Sequence, residues 1–147
     1  MRNHHATALV IGCQGFLFVG PSGAGKTRLA LACLAEAQAR NIHAAIIADD
    51  QVFLSEAGST IIAEAPQTIA GLAEVRGSGI VQVPSQSTAV MDFAVLPVSL
   101  GSTERLPPED EMHRIAENRS LPLIRLPADA AHPLDLLLRL ADARRGN

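Results

Sequence analysis

The chain has 147 residues, of which 48% are hydrophobic and 18% charged, and this composition excludes a disordered chain and predicts one domain over residues 1–147. The net charge of −3 and the pI of about 5.9 exclude the basic surface of a nucleic-acid-binding protein. No apolar run reaches the length of a transmembrane helix, so we expect no membrane partner. The apolar stretch 6–13 is short for a signal segment and its removal would damage the predicted sheet, so we expect a cytoplasmic protein.

The N-terminal region predicts a β-hairpin. Two apolar runs, Ala8–Ile11 and Phe16–Val19, are separated by Gly12–Gly15, a segment typical of a tight turn. If the strands pair symmetrically about the middle of that turn, Leu9 faces Phe18. The second run is continuous and apolar, as in a strand that is buried on both faces.

Residues 20–27 match the pattern G-x-x-x-x-G-K-[ST] of a phosphate-binding loop. Glycines let the backbone turn its N–H groups towards phosphate oxygens, and the N-terminus of the following helix, predicted over Arg28–Arg40, adds a positive dipole. In such a loop Lys26 reaches the β- and γ-phosphates and the Thr27 hydroxyl binds Mg²⁺. Lys26 is also the only lysine among the 12 lysine and arginine residues. The predicted phosphate-binding residues are Gly20, Pro21, Ser22, Gly23, Ala24, Gly25, Lys26 and Thr27.

The hairpin register has a consequence for His5. Symmetric pairing brings His5 beside Ser22, which would put a titratable imidazole next to the bound phosphates. A solvated histidine near the N-terminus explains the residue equally well, and the register alone does not decide between them.

Two carboxylates follow the next buried strand. Ala44–Ala48 is a short apolar run, and Asp49 and Asp50 come directly after it, at the edge where α/β folds bind ligands. One acid there can hold Mg²⁺ or its water, and the other can accept a proton from an attacking hydroxyl. Asp-rich turns are common, but the neighbouring phosphate loop favours a functional pair.

The segment Glu74–Ile80 contains an acid, a base and two glycines within a few residues. This composition suits a mobile loop that handles phosphate, with Glu74 and Arg76 as its charged groups. A solvated Glu–Arg pair beside a turn explains the same residues.

The remaining elements complete an α/β fold: a P-loop domain with a central mixed β-sheet and an N-terminal hairpin that leads into the phosphate loop. The closing helix begins at a proline and has one apolar face, which suits core or subunit contact. The predicted elements are strands at Gln51–Leu54, Thr60–Ala63, Ile80–Val83 and Met91–Val98, a short helix from Asp110 to Ala116, a strand at Leu121–Leu126 near a sheet edge, and the helix Pro133–Arg144.

With these residues in view, the chain resembles the catalytic domain of bacterial HPr kinase/phosphorylase, in the truncated form found in alphaproteobacteria. The phosphate loop is shared by many families, but its combination with Ala-Asp-Asp and Glu-Val-Arg-Gly-x-Gly-Ile is far more specific. The matching stretches, in the order of the family, are His5–Ala8, Gly20–Thr27, Ala48–Asp50, Glu74–Ile80 and Glu104–Leu106.

The resemblance implies an ATP- and Mg²⁺-dependent serine kinase that acts on the phosphocarrier HPr, and that also removes the phosphate by phosphorolysis to pyrophosphate. It implies a homo-oligomer, a hexamer in that family. The roles that it implies are Asp49 as general base, Asp50, His5 and Lys26 as further catalytic groups, Thr27 and Glu74 as Mg²⁺ ligands, and Arg76 and Arg105 as contacts to phosphate or the protein substrate. Two alternatives stay open, a small-molecule P-loop kinase and a non-catalytic nucleotide-binding regulator.

Overall fold

The computed structural model of the chain describes residues 2–99, 101 and 106–146. Within these residues the chain forms twelve β-strands, one 3₁₀ turn and two α-helices. The strands are β1 Arg2–His4, β2 Thr7–Ile11, β3 Gln14–Phe18, β4 Ala44–Ala48, β5 Val52–Ala57, β6 Thr60–Glu64, β7 Leu72–Val75, β8 Gly79–Gln82, β9 Thr88–Met91, β10 Phe93–Val98, β11 Met112–Ala116 and β12 Arg119–Pro127. The helices are α1 Lys26–Ala39 and α2 Pro133–Arg145, and the 3₁₀ turn is Gln67–Ile69.

The central sheet has six strands in the order β11-β12-β10-β3-β2-β4. It is mixed: β3, β10 and β12 are parallel, whereas β2 is antiparallel to both β3 and β4, and β11 is antiparallel to β12. The strand β12 lies next to the edge strand, as predicted. This arrangement confirms the predicted α/β class with a central mixed sheet.

The central sheet is the middle layer of three. On one face its side chains pack with α1 and α2 in a core that includes Phe16 and Phe18. On the other face, residues such as Leu17 and Ile47 pack against the four-stranded antiparallel sheet β1-β5-β6-β9. Strands covered on both faces must be apolar throughout, which explains the continuous apolar runs of β2, β3 and β4.

The predicted N-terminal hairpin forms, but its predicted register is wrong. Leu9 pairs with Phe16 and Thr7 pairs with Phe18, so the connection has only two residues, Gly12 and Cys13. Gly12 has φ 59°, a conformation that glycine adopts without steric cost, and this allows the shorter turn. The strands therefore slip by two residues relative to the symmetric pairing that we expected.

Three other predicted elements differ. The predicted helix from Asp110 is the strand β11: Asp110 has φ 55°, which forms a turn instead of a helix cap, and the next residues pair with β12. The predicted strand Met91–Val98 is split between β9 and β10 at Asp92, whose carboxylate and backbone N–H both bond to the backbone of Gly15. The predicted loop Glu74–Ile80 is a hairpin formed by β7 and β8.

The two helices confirm the prediction and contact each other directly. Helix α1 ends where Asn41 adopts φ 57°, and the N–H of Ile42 bonds back to the carbonyl of Ala37. The Glu36 carboxylate accepts the backbone N–H groups of the first turn of α2 at 3.1 Å each. The helix that follows the phosphate loop is therefore attached to the C-terminal helix. Neither helix is long and apolar enough to cross a membrane, within the residues that the structure describes.

Candidate active site

A groove of about 870 Å³ lies at one edge of the central sheet. The strands β3, β4, β10 and β12 all run in the same direction, and the residues after each of their carboxyl ends lie at this edge. Ligands bind at such edges in α/β folds. The groove is lined by Ser22 to Arg28, Leu31, Asp49, Asp50, Gln51, Ile69, Leu72 to Arg76, Ile80, Ser99 and Ala128.

The phosphate loop has the backbone that its glycines predict. Gly20, Gly23 and Gly25 have φ values of 124°, 84° and 103°, which side-chain-bearing residues rarely adopt. Gly25 is the N-cap of α1, so the free N–H groups of the first helical turn begin at Lys26 and face the loop end of the helix. This geometry suits an anion at the helix N-terminus.

Lys26 is held inside the loop. Its ammonium group donates hydrogen bonds to the carbonyls of Gly20 at 2.8 Å and Pro21 at 3.2 Å, and the residue is only 6% exposed. A buried ammonium needs such partners, because an unpaired charge away from water is costly. The bonds place the only lysine of the chain at the position where phosphate oxygens would lie in a loop of this pattern.

Asp49 is a buried carboxylate with three hydrogen-bond donors. Its Oδ1 accepts the hydroxyl of Thr27 at 2.6 Å and the hydroxyl of Thr7 at 2.9 Å. Its Oδ2 accepts the backbone N–H of Glu74 at 2.9 Å. The residue is 7% exposed, and these bonds replace the water that it has lost. Asp49 therefore links the phosphate loop, β2 and β7.

Asp50 has a different environment. It occupies the centre of a three-residue turn with φ 66°, closed by the Gln51 N–H and the Asp49 carbonyl at 2.8 Å. Its carboxylate is more than half exposed and lies 3.0 Å from Nδ1 of His5. His5 therefore lies beside Asp50 and is not one of the residues that line the groove, and the contact with Ser22 was expected from a hairpin register that is wrong.

The hairpin of β7 and β8 brings Glu74 and Arg76 to the groove. Both residues line it, two positions apart on the same strand and turn. The Arg76 guanidinium lies against the phosphate loop, since a Cβ atom built on Gly23 would be 3.4 Å from its Nη1. The segment is a hairpin whose two charged residues are exposed and line the groove, and its role in phosphate handling stays a prediction.

The oxygen ligands at the groove are suited to Mg²⁺. Mg²⁺ bound with a nucleotide takes one or two protein ligands together with phosphate oxygens and water. Because the Thr27 hydroxyl gives its proton to Asp49, its oxygen lone pairs are available to a cation. Among the described residues, no group of three or more His, Cys, Asp or Glu side chains forms a self-sufficient metal site.

The structure therefore brings together most of the predicted site residues. Arg105 lies outside the described residues. Thr7, which bonds both to Asp49 and to the backbone of Asp50, was missed. The signal for it in the sequence was one polar residue in an otherwise apolar strand, two positions after His5.

The fold and the groove define an α/β domain with a phosphate-loop motif at the carboxyl edge of a mixed sheet and a pair of acids beside it. The chain belongs to the HPr serine kinase C-terminal domain family, whose sequence model matches residues 1–141.

Known proteins agree with this assignment. The chain is 33% identical over 81 residues to HPr kinase/phosphorylase from Clostridium acetobutylicum, and the match covers 55% of this chain and 25% of that protein. It is 37% identical over 71 residues to the Clostridium tetani protein of the same name, covering 48% and 21%. The chain thus spans about a quarter of the length of these curated relatives. Its fold matches the structure of the Hpr(Ser) kinase/phosphatase from Coxiella burnetii with a TM-score of 0.78 and 23% identity, covering 99% of this chain and 97% of that one.

Proposed function

We propose that the protein is an ATP-dependent serine kinase that acts on a phosphocarrier of the HPr type. One observation carries the proposal: in a chain of this family, the buried Lys26, the Thr27–Asp49 pair and the exposed Asp50 converge on one groove. A lysine, a Mg²⁺-ligating hydroxyl and a free carboxylate are the groups that phosphoryl transfer to a hydroxyl requires.

ATP would lie with its phosphates in the loop. The backbone N–H groups of the loop and Lys26 would hold the phosphates, and Arg76 would add a second positive charge from the hairpin of β7 and β8. Thr27 would hold the Mg²⁺, with Glu74 beside it, and the ion would neutralise charge that develops on the phosphate oxygens. Asp49 would keep the Thr27 hydroxyl turned so that its lone pairs face the ion.

The proton of the serine would go to Asp50. The family resemblance gives this role to Asp49, but Asp49 is buried and its two oxygens already accept three hydrogen bonds. Asp50 is exposed to the groove, and His5 at 3.0 Å can stabilise its position. In this scheme the serine oxygen attacks the γ-phosphorus, the bond to the ADP oxygen breaks, and Asp50 accepts the serine proton.

The reverse reaction would use the same groups. An oxygen of inorganic phosphate attacks the phosphorus of phosphoserine, the bond to the serine oxygen breaks, and pyrophosphate and free serine result. Protonated Asp50 would return the proton to the serine oxygen. The enzyme would act in the cytoplasm, where ATP is available, and we propose a homo-oligomer by resemblance to the family. A small-molecule kinase or an idle nucleotide-binding regulator is not favoured, because the chain belongs to a serine kinase family.

The proposed function is tested with purified protein, ATP, Mg²⁺ and HPr-type carriers, by intact-mass analysis. We expect a mass increase of about 80 Da, one phosphoryl group, on a serine of the carrier. A carrier whose serine is replaced by alanine is the matched control and should gain no mass. Hydrolysis of ATP without any mass gain on the carrier would contradict the proposal.

The proposal gives Asp50 the role of proton acceptor and gives Asp49 the role of orienting Thr27. A matched pair of substitutions, Asp50→Asn and Asp49→Asn, tests this assignment. Asp50→Asn should lower kcat by about 10²-fold or more and leave the affinity for Mg²⁺-nucleotide intact, since it removes a proton acceptor. Asp49→Asn should weaken Mg²⁺-nucleotide binding, because an amide cannot accept all three of the hydrogen bonds at that position. If Asp50→Asn transfers phosphoryl normally and Asp49→Asn loses only the chemical step, Asp49 is the base.

A further inference from the structure

Thr7 is a fully buried polar residue in an apolar strand. Its neighbours Ala6 and Ala8 are also buried, and β2 is covered on both faces. A buried hydroxyl without partners is unfavourable, so its hydrogen bonds explain why a threonine is tolerated at this position.

Its hydroxyl bonds to both acids of the groove. Thr7 donates its proton to Oδ1 of Asp49 at 2.9 Å and accepts the backbone N–H of Asp50 at 3.2 Å. A hydroxyl has one proton and two lone pairs, so both bonds are made at once. One side chain on β2 therefore contacts two consecutive residues after β4.

A β-bulge brings these groups together. The pairing of β2 with β4 shifts between Ala8 and Leu9, so Ala8 pairs with Ala48 whereas Leu9 pairs with Ile46. The extra residue is Ile47 of β4, and beyond it the Thr7 hydroxyl bonds to the carboxylate of Asp49. Bulges near active sites commonly redirect a side chain in this way.

The contact to Asp50 supports a strained backbone. A residue other than glycine with positive φ at the centre of a three-residue turn is unfavourable, and it persists where the surroundings hold it. The Asp50 N–H would otherwise have no acceptor from the turn itself, because the turn is closed by the Gln51 N–H. The Thr7 hydroxyl supplies that acceptor.

We infer that Thr7 is a positioning residue for both acids: it keeps the Asp49 carboxylate on Thr27 and keeps Asp50 in the turn that directs its carboxylate to the groove. Its effect on catalysis rests on the proposed function. The effect of Thr7 on the geometry of the two acids does not depend on the proposed function. An experiment can therefore test the role of Thr7 and the proposed function separately.

The test compares the wild type with Thr7→Val and Thr7→Ser. Valine keeps the branched shape that suits a buried strand and removes the hydroxyl, whereas serine keeps the hydroxyl. Amide hydrogen exchange of ¹⁵N-labelled protein, without nucleotide, measures the protection of the Asp50 N–H directly. Steady-state kinetics with ATP and a carrier measure kcat and KM, and far-UV circular dichroism checks that each variant folds.

In Thr7→Val we expect exchange at Asp50 to be faster by about tenfold, the factor for one lost hydrogen bond. We expect kcat to fall by about 10- to 100-fold, because the turn that holds Asp50 loses a hydrogen bond, and we expect KM for ATP to rise, because the Asp49 carboxylate loses one of the donors that keep it on Thr27. Thr7→Ser should restore most of the protection and most of kcat.

Two outcomes would overturn the inference: wild-type exchange at Asp50 in Thr7→Val, or equal losses in the valine and serine variants. A wild-type protein that phosphorylates no carrier would instead contradict the proposed function, and the exchange at Asp50 would still decide the role of Thr7.

Discussion

Replacing Glu36 should destabilise the attachment between the two helices. Helix α2 begins at Pro133, which has no N–H, and its N-cap residue His132 makes no side-chain capping bond. The next two N–H groups, of Leu134 and Asp135, are both accepted by the Glu36 carboxylate of α1 at 3.1 Å. Glu36 thus acts as the cap of a helix that begins almost 100 residues later in the chain.

The loss of stability expected on replacing Glu36 follows from these two hydrogen bonds. Loss of an N-cap costs about 0.5–2 kcal/mol, and loss of a negative charge at a helix N-terminus costs about 0.3–1 kcal/mol more. Glu36 is partly buried, so water replaces its bonds only in part. We therefore expect Glu36→Ala to lower the free energy of unfolding by about 1–3 kcal/mol, or Tm by about 3–10 °C for a domain of this size.

Chemical denaturation at pH 7, followed by circular dichroism, measures this change. Glu36→Gln keeps one acceptor oxygen and should lose about half as much stability as the alanine variant. Gln38→Ala, on an exposed position of the same helix, is the control and should change stability by less than about 0.5 kcal/mol. An alanine variant at position 36 as stable as this control would refute the capping role.

Two further predictions concern the sheet and its edge. Gly15→Ala should destabilise the protein by about 1–3 kcal/mol or more, measured by denaturation, because its Cβ would lie 1.9 Å from the carbonyl oxygen of Val90; wild-type stability would contradict this packing. The two hydrogen bonds from Arg125 hold the pKa of Glu111 below its ordinary value of 4.5, so Glu111 stabilises the fold above that pH and the stability is lost as the pH falls through the lowered pKa. Glu111→Gln should therefore lower the free energy of unfolding by about 1–3 kcal/mol at pH 7. Below pH 4.5 the stability of this variant should depend less on pH than that of the wild type. Parallel curves of unfolding free energy against pH for the two proteins would count against the ion pair.

Sequence reasoning succeeded where the signal was local. The glycines of residues 20–27 predicted a backbone that other residues avoid, and Gly20, Gly23 and Gly25 have the positive φ values of such a backbone. The strand Ala44–Ala48 and the helix beginning at Pro133 were predicted from an apolar run and a start signal contained within each element. The bounds of these two elements could be predicted without knowing which other segments contact them.

The prediction failed where one segment depends on another. The residues from Met112 to Ala116 form a strand because β12 pairs with them, although an acid before an amphipathic stretch also suits a helix. The hairpin register depended on whether Gly12 opened a two-residue or a longer turn, and both are compatible with the residues. The bonds of Thr7 to the acids cross more than 40 positions and lie next to the bulge in β4, which the sequence does not reveal.

The sequence by itself determined the chemical groups of this protein: a glycine loop with its single lysine, two acids after a buried strand, and a family membership that rests on their combination. Only the tertiary structure decided how exposed each acid is and which groups it contacts. It buried Asp49 under three hydrogen-bond donors and left Asp50 exposed beside His5, because burial and hydrogen bonding are set by strand pairing and not by the order of residues.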